Sequence, residues 1–534
     1  MENALTKELW STEDKLRATM DASEYKNYIL GLVVYKYLSD KLLKTIVEQA
    51  GESFEVYPTC DKQVELYQKL LENQEEKEDL LIVLRDELGY MIEPDYLFNV
   101  LVKQIKEGTF KLEQLEKALT NLSNSNEDFL NMFEDVDLYS RKLGNDEEQQ
   151  TLFMSDLLCR LEAIDLIHYD SKSLGNVFES LIDKFSSDSG KKVEDFFTPT
   201  EVSTILARIV TSDNEKKDNF SVYDPTMGTG SLLLKVGEYT LPKTIVHYYG
   251  QELNTVTYHL AQMNFIMHNI PSKLITLKNG DTLNKDWPID EPTTFDSVVM
   301  NPPYSAKWSA DKVFLSDKRF ESFDKLAPKS KADLAFLLHG LYHLNETGTM
   351  AIVLPHGVLF RGAAEGDIRK KLLESGNIEA VIGMPPNLFY GTAIPTAILV
   401  LKKSRPEKDV LFIDASRDFE KEKLQNKLSK ENIEKLITTY REKKEVKKYS
   451  YLASFEEIQD NEYNLNIPRY VDTFEDIEPI NVARVSEELK RVRTEKQQLS
   501  KKMKKTILTL DKDEIKNNNI KAVLDVLSDH LKID

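Results

Sequence analysis

The sequence predicts an α/β protein in which a doubly wound, mostly parallel sheet lies between two helical regions. Between residues 220 and 415, short apolar runs of strand character alternate with segments of helical periodicity, a pattern typical of βαβ units. Residues 1–165 contain few glycines and prolines, and their apolar residues recur at helical spacing. Charged helical sequence returns after residue 420. We therefore predict a helical N-terminal domain (1–165), an α/β domain (166–420) and a helical C-terminal region (421–534).

Seven strands and four intervening helices make up the predicted α/β domain. The strands are Phe220–Tyr223, Thr244–Tyr249, Leu274–Leu277, Phe295–Met300, Thr349–Leu354, Ala380–Met384 and Ala397–Leu401. The helices are Ser231–Tyr239, Asn254–His268, Asp333–Leu344 and Ala364–Ser375. Ligands of such sheets bind beyond the carboxyl ends of the strands. The residues that directly follow each strand are therefore the candidate site.

Composition limits the classes of function. The chain of 534 residues carries 90 acidic and 70 basic side chains, a formal charge of −20, which repels nucleic acid as a whole. A role on nucleic acid therefore needs a local basic patch or a basic partner. Two cysteines cannot form a disulfide framework. We see neither an export signal nor an apolar run of about 18 residues that would cross a membrane, and we expect a cytoplasmic protein.

A glycine loop with an acidic head follows the first strand and leads into a helix. Its sequence is Asp224-Pro225-Thr226-Met227-Gly228-Thr229-Gly230-Ser231. Glycines permit close approach of the backbone to a ligand, and the helix start offers free amides. The spacing matches neither a phosphate-binding P-loop nor Gly-x-Gly-x-x-Gly, and a carboxylate at the head would repel a pyrophosphate. The loop instead favours a ligand that carries positive charge and hydroxyls.

Two further carboxylates follow the second and third strands. Glu252 comes about 22 residues after Gly230, close to the spacing at which nucleotide-binding folds grip a ribose. Asp281-Thr282-Leu283 follows the third strand, where the carboxylate can accept the amine of an adenine. Each acid alone is an ordinary strand-end residue. Three acidic residues that follow three successive strands provide partners for an ammonium, a ribose and an adenine. This set predicts S-adenosylmethionine as the cofactor.

The fourth strand ends in Asn301-Pro302-Pro303-Tyr304. Two prolines make this turn stiff and extended, and a plain proline loop is the structural alternative. The amine of a nucleobase is a poor nucleophile because its lone pair is delocalised. The Asn301 side-chain oxygen and the Pro302 carbonyl can accept both of its hydrogens and release the lone pair, while Tyr304 stacks on the extruded base. No metal is needed for this transfer.

The C-terminal region contains a heptad seam of about four repeats. Its members are Val482, Val485, Leu489, Val492, Lys496, Leu499, Met503, Thr506 and Leu510, of which only Lys496 and Thr506 are polar. The same segment is locally basic. A lone amphipathic surface helix is one interpretation. We favour an assembly helix that docks a second subunit.

Together these residues resemble the DNA adenine-N6 methyltransferases, and more specifically the modification (M, HsdM) subunits of type I restriction-modification systems. The similarity covers nearly the whole chain. Leu9-Trp10, Leu16-Arg17 and Tyr28 to Ser39 resemble the helical N-terminal domain of that family. Later blocks match almost continuously at 332–336, 353–360 and 385–396, with Ala393 where many relatives have glycine. The resemblance implies a class I S-adenosylmethionine-dependent methyltransferase fold, Rossmann-like with a seven-stranded, mostly parallel sheet.

The resemblance also implies site residues and partners. Phe197-Thr198-Pro199 matches the segment that closes over S-adenosylmethionine, and Phe389 or Tyr390 is implied to help hold the flipped base. The implied partners are double-stranded DNA, a specificity (S) subunit that binds two copies of this chain, and a restriction/translocase (R) subunit. We expect local DNA contacts from basic residues in the loop after Tyr304, namely Lys307, Lys312, Lys318 and Arg319.

Two alternatives of other classes stay open. One is a stand-alone methyltransferase that acts on RNA or on a protein glutamine, since such enzymes also carry Asn-Pro-Pro-Tyr. Their catalytic domains usually lack the helical flanks and the heptad seam. The other is a scaffolding subunit whose catalytic site has decayed, which the intact loop and turn disfavour.

Overall fold

The computed structural model describes residues 22–126, 129–167, 169–188, 198–212, 217–284, 287, 293–389, 394–422, 425–473, 482–509, 522–523 and 526–527. The chain divides into two compact units, one that ends at Thr473 and one that begins at Phe474. We describe each unit by itself. No described helix is long and apolar enough to cross a membrane.

The N-terminal part of the first unit is a helical bundle. Its helices are α1 (Ala22–Gln49), α2 (Cys60–Glu72), α3 (Gln74–Val83), α4 (Phe98–Glu107), α5 (Leu112–Ser123), α6 (Glu147–Glu162) and α7 (Ser171–Asp188). Helix α1 is the centre of the bundle because its middle is apolar on every side, and Ile29, Leu30 and Leu32 are fully buried. An all-round apolar helix is stable only when neighbours cover it.

The rest of the first unit is built on one sheet. Its strands are β1 (Asn219–Asp224), β2 (Ile245–Glu252), β3 (Ile275–Asn279), β4 (Phe295–Met300), β5 (Leu344–Pro355), β6 (Ile378–Gly383), β7 (Thr396–Leu401) and β8 (Val410–Asp414), followed by a hairpin of β9 (Glu420–Lys421) and β10 (Asn426–Lys427), and by β11 (Ser450–Ala453). The helices are α8 (Thr200–Val210), α9 (Ser231–Glu238), α10 (Thr255–Met267), α11 (Asp333–Tyr342), α12 (Ala363–Glu374), α13 (Lys430–Glu442) and α14 (Phe455–Asp460).

Among the described residues, nine strands pair in the order β11-β8-β6-β7-β5-β4-β1-β2-β3. Strands β1 to β5 are parallel to one another where they pair, whereas β7 runs antiparallel to both β5 and β6. All seven predicted strands are in the sheet, so the predicted α/β class is confirmed. The four predicted helices are also present, although Leu344 begins β5 and does not end a helix.

Strands β8 and β11 extend the sheet beyond the seven predicted ones, on the side away from β1. β8 pairs in parallel with β6, and β11 closes this edge antiparallel to β8. The compact unit consequently continues to Thr473. The domain boundaries that we predicted at residues 165 and 420 stay predictions.

Helix α10 packs on both halves of the first unit. Its residues Leu260 and Met263 belong to the core of the helical bundle, whereas Ala261 and Phe265 belong to the core beneath the sheet. The bundle therefore contacts the α/β part through a helix that directly follows the second strand.

The second unit contains α15 (Val482–Leu508). The apolar residues of the predicted seam are solvent-exposed on this helix, with 75% exposure at Val482, 59% at Val492 and 61% at Leu499. Leu510 lies outside the described residues.

Candidate active site

The glycine loop after β1 bends sharply against the end of β2. Gly228 and Gly230 have φ of +55° and +78°, a conformation that L side chains rarely adopt. A Cβ on Gly230 would lie 2.8 Å from the ring of Phe265. The Met227 amide donates to the Gln251 carbonyl at 3.0 Å, and a Cβ on Gly250 would lie 2.3 Å from Met227 Sδ. Glycine is therefore required on both sides of this close approach.

Two buried carboxyls lie at this edge of the sheet. Asp224 is 1% exposed, and its Oδ1 accepts the Thr226 amide at 2.9 Å. Glu252 accepts the Gly228 amide on Oε2 at 3.1 Å and the Asn254 amide on Oε1 at 2.8 Å. Both side chains come from the ends of adjacent strands. The amides they accept hold the first two loops together.

Burial disfavours the charged form of both carboxyls. It raises the pKa of Asp224 to about 8, with a further contribution from repulsion by Glu252, and it also raises the pKa of Glu252. Nearby cations within the described part of the chain do not offset this cost in either case. A ligand that brings positive charge would lower the energetic cost of ionising these two carboxyls.

The third loop is fastened to the first. Thr282 donates its hydroxyl to the Pro225 carbonyl at 2.6 Å and is buried. Asp281 caps its own turn, because Oδ1 accepts the Leu283 amide at 3.0 Å. The structure thus brings the three predicted loops to one edge of the sheet, although it shows no ligand contact for any of them.

Arg319 was expected to contact DNA, and that expectation is wrong. The side chain is buried, with 2% exposure, and it forms an ion pair with Asp317. Its guanidinium also donates to the Thr282 carbonyl at 2.9 Å and to the Leu283 carbonyl at 3.3 Å. Arg319 therefore clamps the third loop from within. Lys307, Lys312 and Lys318 are exposed, as a DNA contact would require.

A buried chain of hydrogen bonds continues from Arg319. Its guanidinium lies 3.1 Å from His339 Nδ1, and His339 Nε2 lies 2.9 Å from the Tyr223 hydroxyl. Burial holds the pKa of His339 well below its usual value, so the ring is neutral. Since a guanidinium only donates, Nδ1 accepts and Nε2 carries the proton. Tyr223 in turn donates to the Trp287 carbonyl at 2.9 Å.

The Asn-Pro-Pro-Tyr turn leaves β4 at the same edge. Asn301 Nδ2 donates to Thr198 Oγ1 at 3.1 Å, and Asn301 Oδ1 accepts the Tyr304 hydroxyl at 2.8 Å. The Tyr304 ring meets Phe389 edge-on, with 5.8 Å between centroids and 85° between planes. Pro302 is buried and Pro303 is partly buried. The side-chain amide of Asn301 is therefore hydrogen-bonded at both ends.

Asp333 fixes the residue after Tyr304. Ser305 has φ of +53°, and its amide donates to Asp333 Oδ1 at 2.8 Å. Asp333 is fully buried at the start of α11, and its Oδ2 accepts Arg361 Nη2 at 3.0 Å. The Arg361 guanidinium occupies space that a Cβ on Gly357 would fill. Asp333 lies in the block 332–336 that we singled out in the sequence without assigning it a role.

Several predicted site residues need separate mention. Phe197 and Tyr390 lie outside the described residues. Phe389 is 2% exposed, so its predicted contact with a flipped base stays a prediction. The Thr198 hydroxyl accepts a hydrogen bond from Asn301, and the predicted contact of Thr198 with the cofactor stays a prediction. The sequence contained no local signal for the hydrogen bond with Asn301.

The strand order β3-β2-β1-β4-β5-β7-β6, with β7 antiparallel, defines the class I methyltransferase fold. The acidic glycine loop and the Asn-Pro-Pro-Tyr turn lie beyond the carboxyl ends of its strands, where sheets of this kind bind ligands. By its fold the chain is accordingly a class I methyltransferase.

Comparisons with known proteins define the family. The N-6 DNA methylase family model matches residues 169–478, and the model of the HsdM N-terminal domain matches residues 5–161. This chain belongs to the N-6 DNA methylase family, and it is an enzyme of the type I restriction-modification methylase-subunit group. The resemblance stated from the sequence is confirmed.

Individual relatives agree with this assignment. The methylase subunit of the type I restriction enzyme MpnII from Mycoplasma pneumoniae is 35% identical over 97% of this chain and 98% of its own length. The MjaVIII methylase subunit of Methanocaldococcus jannaschii is 30% identical over 90% and 80% of the two chains.

Two solved structures are similar as well. A type I restriction-modification methyltransferase subunit from Streptococcus thermophilus has a TM-score of 0.85 and 50% identity, over 89% of this chain and 100% of that one. A chain from a study of type I complex assembly has a TM-score of 0.55 at 18% identity, over 96% of this chain and 100% of that one, and shows the shared fold alone.

Proposed function

We propose that this chain transfers the methyl group of S-adenosylmethionine to N6 of a flipped adenine in duplex DNA. It does so as the modification subunit of a type I restriction-modification complex, and the methyl mark protects host DNA from restriction. The observation that carries the proposal is the orientation of Asn301, whose side-chain oxygen accepts a hydrogen bond at the edge where the acidic glycine loop ends.

The residues of the glycine loop fit S-adenosylmethionine. Asp224 and Glu252 are buried carboxyls with raised pKa, and a cationic ligand with hydroxyls suits both. Gln251 is 2% exposed and its Oε1 lacks a hydrogen-bond partner among the described residues, as expected of a group that awaits a donor. S-adenosylmethionine, when bound, supplies a methyl group activated by the sulfonium charge.

Asn301 and Pro302 prepare the adenine amine. Their two oxygens accept both hydrogens of N6, which draws the lone pair from the ring onto the nitrogen. With S-adenosylmethionine bound, the nitrogen would bond to the methyl carbon as the bond from that carbon to sulfur breaks, leaving the thioether S-adenosylhomocysteine, and would release one hydrogen as a proton to water. Because the donor is already activated, holding the amine in line with it supplies much of the rate.

The Tyr304 hydroxyl shares an acceptor with the proposed substrate. It donates to the same Asn301 oxygen that we assign to the adenine amine. That oxygen has two lone pairs, so the amine competes with the hydroxyl without having to displace it fully, and stacking requires the ring to turn from its edge-on contact with Phe389. The freed ring then stacks on the base, a contact worth roughly 1–3 kcal/mol.

The net charge of the chain and the exposed seam of α15 support the proposed DNA and protein partners. A net charge of −20 makes the chain a poor DNA binder by itself, so we assign sequence recognition to a specificity subunit that binds two copies of this chain, with a restriction subunit in the full complex. Lys307, Lys312 and Lys318 provide local contacts to phosphates. The seam of α15 is the proposed docking face for assembly.

Tritiated methyl transfer tests the function. The purified chain is incubated with labelled S-adenosylmethionine and duplex DNA, with and without its specificity subunit, and the DNA is digested to nucleosides. We expect label in N6-methyl-2′-deoxyadenosine and only with the partner present. Equal transfer without the partner, or label in RNA or protein, would establish a stand-alone enzyme instead.

The docking face is tested in the full chain. Leu489→Lys with Val492→Lys places two charges on the exposed seam and should abolish co-purification with the specificity subunit. Glu487→Lys with Thr494→Lys adds lysines to the opposite face of the same helix and should leave assembly intact. Equal yields of the complex from both double variants would remove α15 from the interface.

A further inference from the structure

The catalytic amide of Asn301 is held by a residue 103 positions earlier in the chain. Its Nδ2 donates to Thr198 Oγ1 at 3.1 Å, whereas its Oδ1 accepts the Tyr304 hydroxyl at 2.8 Å. The Tyr304 contact uses the oxygen that we assign to the adenine amine, whereas the Thr198 contact leaves that oxygen available.

An amide that rotates by 180° exchanges its donor for its acceptor. If Nδ2 faced the adenine, it would present hydrogens to an amine that also presents hydrogens, and the lone pair would stay in the ring. A hydrogen bond from Nδ2 at the far end of the amide restricts its rotation and favours the orientation in which Oδ1 faces the adenine amine. The hydroxyl of Thr198 accepts that hydrogen bond.

Thr198 is itself well anchored. It precedes Pro199, the N-cap residue of α8, and the Ser203 hydroxyl donates to the Thr198 carbonyl at 3.3 Å. Helix α8 buries seven of its residues and packs against β4 and β5. The hydroxyl is thus presented by a rigid helix start, beside the strand that ends at Asn301.

We propose that Thr198 is a positioning residue for methyl transfer. Its hydroxyl accepts the Asn301 Nδ2 hydrogen and keeps the Asn301 oxygen directed at the adenine amine. This inference rests on the proposed function. It gives Thr198 a role on the acceptor side, distinct from the cofactor contact that the resemblance implies.

Thr198→Val tests the inference because it keeps the shape of the side chain and removes the hydroxyl that hydrogen-bonds to Asn301. Assayed in the complex with the specificity subunit, kcat should fall on the order of tenfold or more, since a small misplacement of a reacting group has such effects. The Kd for S-adenosylmethionine should change less than about twofold. Thr198→Ser retains the hydroxyl and should keep kcat within about threefold of wild type.

Thr282→Val is the matched control. It removes a hydroxyl from the cofactor loop, where Thr282 donates to the Pro225 carbonyl, and should weaken S-adenosylmethionine binding with little change in kcat. If Thr198→Val also weakened S-adenosylmethionine binding with little change in kcat, Thr198 would act only as a cofactor contact and the inference would be overturned. Equal losses in Thr198→Val and Thr198→Ser would also overturn it, because packing would then be responsible.

A structural readout separates the inference from the proposed function. In crystals of the full chain, the Asn301 amide should leave residue 198 in Thr198→Val and stay hydrogen-bonded to it in Thr198→Ser. An amide that stays in place in Thr198→Val contradicts the inference. A wild-type complex that does not methylate adenine contradicts the function, whatever the amide does.

Discussion

Two regions at the carboxyl ends of the strands are stabilised in different ways. We call the ends of β1 and β2 with Asp224 and Glu252 the cofactor edge, and residues 301–305 the acceptor turn, after the roles that we propose for them. At the cofactor edge, carboxylates accept amides two residues further on, as Asp224 does from Thr226 and Glu252 from Asn254. At the acceptor turn, Asn301 depends on Thr198, 103 residues away, and Ser305 on Asp333, 28 residues away. Both regions also contain the other kind of contact, since Glu252 accepts the Gly228 amide of the preceding loop and Tyr304 donates to Asn301 within the turn. They differ in that the long-range partners of the cofactor edge are other strand-end loops, whereas those of the acceptor turn come from the segment before α8 and from α11.

The two regions also differ in charge balance. Burial leaves the carboxyls of the cofactor edge with raised pKa and without an adjacent cation among the described residues. Asp333, buried behind the acceptor turn, is paired with Arg361, although burial still raises its pKa. The cofactor edge is therefore prepared for a ligand that brings positive charge, whereas the acceptor turn is electrostatically complete before substrate arrives.

Substitution of Asn301 should separate the two regions most clearly. We expect Asn301→Ala to lower methyl transfer by about three orders of magnitude, because removal of a preorganised hydrogen-bonding group commonly costs on the order of 10²–10³ and here the amine also stays unactivated. The Kd for S-adenosylmethionine, measured by calorimetry, should stay within about twofold. Substantial methylation by this variant in the presence of the specificity subunit would refute the mechanism.

Asp224→Asn should have the reverse effect of Asn301→Ala, because it should weaken the binding of S-adenosylmethionine. We expect the Kd for S-adenosylmethionine to rise about a hundredfold at pH 8.5, where a carboxyl with a pKa of about 8 is mostly ionised in the wild type. The wild-type affinity should fall by up to about tenfold per pH unit below pH 8, because the carboxyl must lose its proton to meet a cation. In Asp224→Asn this dependence should be absent.

The same carboxyl makes a prediction for ligand-free stability. The folded state keeps a proton on Asp224 that the unfolded state releases near its ordinary pKa, so stability falls as pH rises from about 4 to about 8. Asp224→Asn lacks this contribution and should show a smaller decrease in Tm across that range. Parallel Tm curves for the two proteins would place the pKa of Asp224 near its usual value.

The difference between the regions explains what the sequence predicts. Short apolar runs and the residues directly after them located seven strands and the loops that follow β1, β2 and β3, because those features are local. Strand β11 has no such signal and forms only by pairing with β8. Arg319 looks like a loop cation in sequence, and only the fold shows that Asp317 and two carbonyls of the third loop surround it. Asp333 and the Thr198 contact were beyond reach for the same reason.

Arg319 clamps the third loop from within, and its replacement should have an intermediate effect. In Arg319→Met the carbonyls of Thr282 and Leu283 lose a buried donor, so the third loop should loosen and the Kd for S-adenosylmethionine should rise about tenfold, with a lower Tm. Lys318→Met, one residue earlier and exposed, should leave both quantities unchanged and weaken only salt-dependent DNA binding. Weakened DNA binding with normal cofactor affinity in Arg319→Met would restore the DNA role first expected for it.

Tyr304→Phe should have the smallest effect, and its sign is informative. The variant keeps the ring that we propose to stack on the base and loses the hydroxyl that donates to Asn301 Oδ1. Since the adenine amine no longer competes with that hydroxyl, KM for DNA should fall or stay constant, and kcat should change less than about threefold. Tyr304→Ala removes the stacking surface and should cost roughly 1–3 kcal/mol in kcat/KM. If Phe proved as damaging as Ala, the hydroxyl and not the ring would be the part of Tyr304 that methyl transfer requires.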